Sequence, residues 1–161
     1  MHNDPVTPKS EAENKSKRWL PSPEDEAYLN VQRTADHLLR GVEELLKPAG
    51  LTPSQYNVLR ILRGAGPDGL ACGEIAGRML TRDPDMTRLL DRLDKRGLVT
   101  RTRSASDRRV VLTRITSAGL KLLASLDEPV PDLHKKQLQH LGRERLKQLS
   151  ALLEEACESS G

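Results

Sequence analysis

The chain has 161 residues, 36% hydrophobic and 30% charged, with a net charge of +3 and a pI near 9.0. That is enough for one domain with a sizeable core, or for one small domain plus a helical assembly region. No apolar run approaches the roughly 18 to 20 residues of a membrane span, and the first residues lack the apolar core of a signal peptide, so no membrane partner and a cytoplasmic location are expected. With no Phe and only Trp19, Tyr28 and Tyr56 as aromatics, a stacking platform for single-stranded nucleic acid is excluded. Cys72 and Cys157 match no disulfide or metal spacing and are expected to be free thiols.

Residues 1–21 mix Pro5, Pro8 and Pro21 with alternating charges, a composition that cannot bury enough surface to offset its ordering entropy, so a flexible tail is expected. Ser22 can cap the next helix, with Pro23 at its first position and Glu24, Asp25 and Glu26 in its first turn. Tyr28, Val31, Ala35, Leu38, Leu39, Val42, Leu45 and Leu46 recur at helical spacing, and the helix should end near Lys47. Thr52-Pro53-Ser54-Gln55 reads as a capping box opening a second helix, which carries Tyr56, Leu59 and Leu62 to a stop at Gly64. The run from Gly64 to Gly69 is rich in turn residues. Cys72 to Met79 is then a short helix with Ile75, Ala76 and Met79 turned inward.

After a tight turn, Asp83 is placed to cap a further helix with Pro84 at its first position. Met86, Leu89, Leu90 and Leu93 make one core-facing stripe on it. Two helices joined by so short a turn, about 72–96, are a helix-turn-helix candidate. Gly97 is the expected helix stop. The β-prone runs Leu98 to Arg101 and Val110 to Ile115 flank the loop Ser104 to Arg109, giving a hairpin, or wing, over about 98–115. Thr116 can cap a helix through Leu120, Leu122, Leu123 and Leu126, interrupted or kinked about Pro129 and Pro131, with a last helix from Arg143 to about Ala156. The expected fold class is therefore mainly α with a small β-hairpin wing. A winged helix-turn-helix (51–116) is flanked by dimerisation helices at 22–50 and 117–158, whose apolar stripes a twin subunit would cover.

Between Arg78 and Arg114 there are 11 Lys/Arg against 5 Asp, a local +6, so everything outside sums to −3. A polyanion partner is expected here. On the helix from Pro84, Thr87, Arg88, Asp91, Arg92 and Lys95 lie opposite the apolar stripe, with Arg82 just before it. An α-helix fits the major groove of double-stranded DNA, where Arg can bond bidentately to guanine and Thr can meet a phosphate or a thymine methyl. Arg88 is the first candidate for a base contact, and an ordinary ion pair with Asp85 or Asp91 is its alternative. Asp83 and Asp85 either cap the helix or accept from cytosine N4. In the hairpin, Arg101, Ser104, Asp107, Arg108 and Arg109 are candidates. A wing arginine can enter a narrow minor groove, and Asp107 could orient Arg109 or Arg101 by a charge-assisted bond. His37, His134 and His140 form no metal-ligand pattern. No Ser/His/Asp set, Gly-rich phosphate loop or paired acid motif points to an enzyme, so no catalytic residue, metal or cofactor is expected.

These segments resemble the MarR family of winged-helix transcriptional regulators: LTPSQYNVLRIL (51–62), GEIAGRM (73–79), MTRLLDRLDKRGLV (86–99), the wing motif DRR (107–109) and LTRITSAG (112–119). The resemblance covers roughly 24–158. It implies a homodimer held by the first and last helices that binds a pseudo-palindromic operator, usually as a repressor. Arg109 takes the place of the wing arginine that enters the minor groove, and Asp107 that of the wing-stabilising aspartate. It also implies a small aromatic or phenolic ligand that weakens DNA binding, at residues the sequence does not define. This chain departs from the pattern in having Ala71 where a capping Ser/Thr is common, RDPD (82–85) in place of a Ser-rich entry to the recognition helix, and no reactive cysteine in the first helix. The acidic pair also motivates an alternative, a protein-interaction module that keeps the winged fold but has lost DNA binding.

Overall fold

The computed structural model describes residues 22–158, so the expected flexible tail lies outside the described residues. The chain divides after His37 into two compact units. The first helix, α1 (Pro23–Leu46), begins where the capping pattern places it, with the Ser22 hydroxyl accepting the Asp25 N–H at 3.1 Å. In the first unit its Tyr28 and Val31 stay exposed.

In the second unit, α1 runs out through a 3-10 turn (Lys47–Ala49) that Gly50 closes. Arg96 reaches back to donate to the carbonyls of Gly50 and Ala49. Helix α2 (Pro53–Ala65) carries the capping box in full. Thr52 Oγ1 accepts the Gln55 N–H at 3.2 Å, and Gln55 Oε1 accepts the Thr52 N–H at 3.0 Å. The expected stop at Gly64 is one turn element early. Gly64 is helical, and Gly66, at φ 73°, ends the helix because that left-handed geometry is open to glycine.

A 3-10 turn (Gly66–Asp68) leads into β1 (Leu70–Ala71), a two-residue strand that pairs antiparallel with β3 (Val111–Ile115), whose other edge pairs with β2 (Val99–Arg103). The sheet order is β1-β3-β2. Arg103 lies opposite Val111 and Val99 opposite Ile115. Between β1 and the wing stand α3 (Cys72–Arg78) and α4 (Met86–Lys95). Ile75 is fully buried, whereas Ala76 is exposed, contrary to the inward position expected of it. In a seven-residue helix each step rotates about 100°, so with Ile75 committed to the core its neighbour turns out to solvent. Ala71 offers no side-chain cap, and Glu74 compensates by accepting the Ala71 N–H at 2.8 Å.

The stripe Met86, Leu89, Leu90 and Leu93 is buried as expected, and joins Leu46, Val58, Leu59, Leu62, Ile75, Val99 and Leu123 in one core. Gly97, at φ 68°, turns the chain out of α4, with Leu98 N–H bonded to Leu93 O at 3.0 Å. After β3 come α5 (Ser117–Ala124), α6 (Pro129–Leu138), a 3-10 turn (Gln139–Leu141) and α7 (Arg143–Glu158). Thr116 caps α5 by accepting the Gly119 N–H at 3.1 Å. Pro129 does not kink a continuing helix. It occupies the first turn of a new one, where its missing N–H costs nothing. Helix α7 buries no residue and leaves Leu149, Leu152 and Leu153 exposed.

Gly119 lets α5 lie close against Leu98, just before β2, and Ile115 of β3. A Cβ there would lie 2.4 Å from the Leu98 carbonyl oxygen and 2.7 Å from Ile115 Cγ1, and that carbonyl is already fixed by the Thr116 N–H at 3.0 Å. Gly119→Ala is therefore expected to lower stability by about 1 to 3 kcal/mol through overpacking, read as a shift of the urea midpoint with unchanged slope.

Candidate nucleic-acid interface

The fold buries one side of α4 and leaves the other free. Arg82, Asp85, Thr87, Arg88, Arg92 and Lys95 are exposed, Asp83 is half-buried, and the leucines beneath them fix which way they face. The helix begins two residues later than expected. Asp85, not Asp83, is the cap, its Oδ1 accepting the Arg88 N–H at 3.1 Å. Asp83 accepts the Asp85 N–H at 2.9 Å, a side-chain turn that holds the cap in place, while Pro84 lies outside the helix. The carboxylates are thus bound locally, and Asp85 also pairs with Arg88, Oδ2 to Nε at 3.2 Å. The ion pair considered for Arg88 exists, yet the arginine side chain stays 72% exposed.

The wing is built in the same way, by backbone bonds from polar side chains. Ser104 N–H donates to Val110 O at 2.8 Å, and Asp107 O accepts the Val110 N–H at 3.0 Å, closing the loop. The Ser104 hydroxyl accepts the Ser106 N–H at 3.3 Å. Asp107 does not bind either guanidinium expected of it. Its Oδ1 accepts the backbone N–H of Arg109 at 3.0 Å, so it shapes the turn that presents Arg108 and Arg109 and leaves both side chains exposed. Arg101 instead pairs with Asp91, half-buried, and so ties β2 to α4. It is a brace between the two exposed elements more than a free cation. Arg114 braces the opposite side, donating to Pro67 O at 2.8 Å and to Thr102 Oγ1 at 2.6 Å.

Arg103 and the residues at the start of α2 were not among the site candidates read from the sequence. Arg103 is exposed on β2 and reaches the Arg108 carbonyl at 3.4 Å, which adds a cation to the wing. Its two-residue spacing from Arg101 on a strand was the available signal. Thr52, Ser54 and Gln55 at the start of α2 also border a polar cleft of about 390 Å³ whose other wall is Asp83, Asp85, Arg88 and Arg92. Nothing in the spacing of α2 and α4 along the chain announces that wall. Among the described residues no group of His, Cys, Asp and Glu is placed to hold a metal ion, and no helix is long and apolar enough to cross a membrane.

An exposed helix face of arginines, a cation-tipped hairpin beside it and a brace between them suit a duplex with adjacent grooves. Comparison with known proteins points the same way. The sequence profile of the MarR family matches residues 51–111. The chain is 30% identical over 138 residues, 84% of its length, to the HTH-type transcriptional regulator FarR of Neisseria gonorrhoeae, of which it covers 93%. A crystal structure of a MarR transcription factor from Planctomyces limnophilus is 48% identical, with a TM-score of 0.66 over 83% of this chain and 96% of that one. A mutant MarR from E. coli, solved in complex with operator DNA, is 27% identical with a TM-score of 0.72, covering 78% of this chain and 89% of that one.

Proposed function

The chain belongs to the MarR family of winged-helix transcriptional regulators, and from that premise we propose that it acts as a homodimer on a pseudo-palindromic DNA operator, as a repressor that a small aromatic or phenolic ligand releases. One observation carries the reading: the buried leucine stripe of α4 leaves Thr87, Arg88, Arg92 and Lys95 on an outward face beside the exposed Arg108 and Arg109 of the wing. In this reading α4 enters the major groove, Arg88 meets a base edge, and Arg82, Thr87, Arg92 and Lys95 meet phosphates or neighbouring edges. Arg109 enters the adjacent minor groove, with Arg108 on the backbone and Ser104 and Asp107 shaping the loop that carries them.

The exposed leucines of α7, Leu149, Leu152 and Leu153, support pairing with a second copy, as do Tyr28 and Val31 on α1. Two-fold symmetry would set the half-sites about one helical turn apart. A role confined to protein interaction has less support, because the carboxylates that motivated it are spent on the cap of α4 and on Arg88.

A gel shift on DNA flanking the chain's own gene tests the reading. Specific retardation that weakens steeply with salt is expected, by roughly 10³-fold or more between 50 and 200 mM if six or more phosphates are contacted. Retardation equal for every duplex, or insensitive to salt, would count against it.

A further inference from the structure

Asp85 makes two contacts to one residue. Its Oδ1 accepts the backbone N–H of Arg88 at 3.1 Å, and its Oδ2 lies 3.2 Å from Arg88 Nε. The first contact fixes the carboxylate on the end of α4. The second places the carboxylate beside the Nε side of the guanidinium. The carboxylate stands beside Nε as an ion pair, and no guanidinium nitrogen of Arg88 is held in a hydrogen bond among the described residues, so Nη1 and Nη2 remain available to a partner. An arginine presented end-on through those two nitrogens matches O6 and N7 of guanine. The side edge, Nε with one Nη, is the other fork by which arginine grips an oxyanion, and it is the edge beside which the Asp85 carboxylate lies.

Exposed ion pairs of this kind contribute little stability, so holding an orientation is what the pair has to offer. A carboxylate on this face also opposes the backbone phosphates, which a helix built for indiscriminate DNA affinity would avoid. Asp83 serves the arrangement indirectly, because its bond to the Asp85 N–H at 2.9 Å sets the backbone from which Asp85 projects.

We infer that Asp85 is a specificity-determining, positioning residue: it buttresses Arg88 so that the guanidinium reads a guanine and is withheld from phosphates. This rests on the operator-binding reading above. Asp85 acts through Arg88 and need not touch DNA.

The test is selection of bound duplexes from a randomised-sequence pool by the full chain, for wild type, Asp85→Asn, Asp85→Ser, Arg88→Ala and the Arg88→Ala double variants. Asn and Ser cap helices about as well as Asp, so the single variants should keep the wild-type melting temperature. Serine is too short to reach the guanidinium. Wild type is expected to enrich one guanine in each half-site. Both Asp85 variants should flatten that preference, with the ratio of specific to random affinity falling on the order of tenfold while random-duplex affinity holds or rises. In the Arg88→Ala background, changing Asp85 should then alter base preference no further.

Unchanged preference in the Asp85 variants would overturn the inference and leave the operator-binding reading intact. A preference change that persists without Arg88 would also overturn it, since Asp85 would then read a base itself. If wild type enriches no sequence, the operator-binding reading fails and this inference fails with it.

Discussion

Arg109→Ala is expected to weaken specific DNA binding by about 1 to 3 kcal/mol per half-site, and therefore by about 2 to 6 kcal/mol for a dimer in which both wings lose the side chain. The size of the effect follows from how the wing is made. Asp107 binds the backbone N–H of Arg109, and Ser104 and Val110 close the loop, so deleting the guanidinium leaves the hairpin intact. All the loss then falls on DNA. Fluorescence anisotropy with the best duplex from the selection, read beside a thermal melt, separates the two. A reduced melting temperature that accounts for the lost affinity would show that Arg109 holds the wing together, against its exposure in the fold. Asp107→Ala should act by the opposite route, loosening the turn with a smaller loss of affinity.

Leu90→Ala should be strongly damaging, costing about 2 to 5 kcal/mol of unfolding free energy. Leu90 has no exposure and lies in the single core that α4 shares with Leu62, Ile75 and Val99. Against a typical total of about 5 to 15 kcal/mol, such a loss leaves α4 poorly anchored. Urea denaturation checks it. Leu80→Ala is the control: Leu80 stands 83% exposed in the turn before α4, and its loss should stay within about 0.5 kcal/mol.

What could be read from the sequence was whatever its local spacing dictates. The capping box at Thr52 and Gln55, the stripe from Met86 to Leu93 and the stop at Gly97 each involve residues within one or two turns, and each lies where the pattern places it. The choice between Asp83 and Asp85 as cap was not decidable in that way. Both stand beside Pro84, and only the backbone of the turn selects Asp85, with Asp83 bound to its N–H.

Partners distant in the chain stayed hidden altogether. Arg101 was a candidate for DNA and for Asp107, but in the fold it meets Asp91 across the junction of α4 and β2. The cleft wall formed by Thr52, Ser54 and Gln55 is another product of packing, as is β1, whose two residues are too short to show a strand period. The bearing of the acidic pair on the site changes accordingly: two charges that looked adverse to DNA binding become the means by which Arg88 is held.

In the proposed reading, each subunit reads two neighbouring grooves with two separate elements, α4 and the wing. Hydroxyl-radical footprinting of wild type and Arg109→Ala on the best-enriched duplex measures this most directly. Wild type should protect two symmetric segments about one helical turn apart, each with a flanking minor-groove patch, and Arg109→Ala should lose the flanking patches while keeping the segments between them. A footprint without two-fold symmetry, or flanking protection untouched by the loss of Arg109, would contradict it.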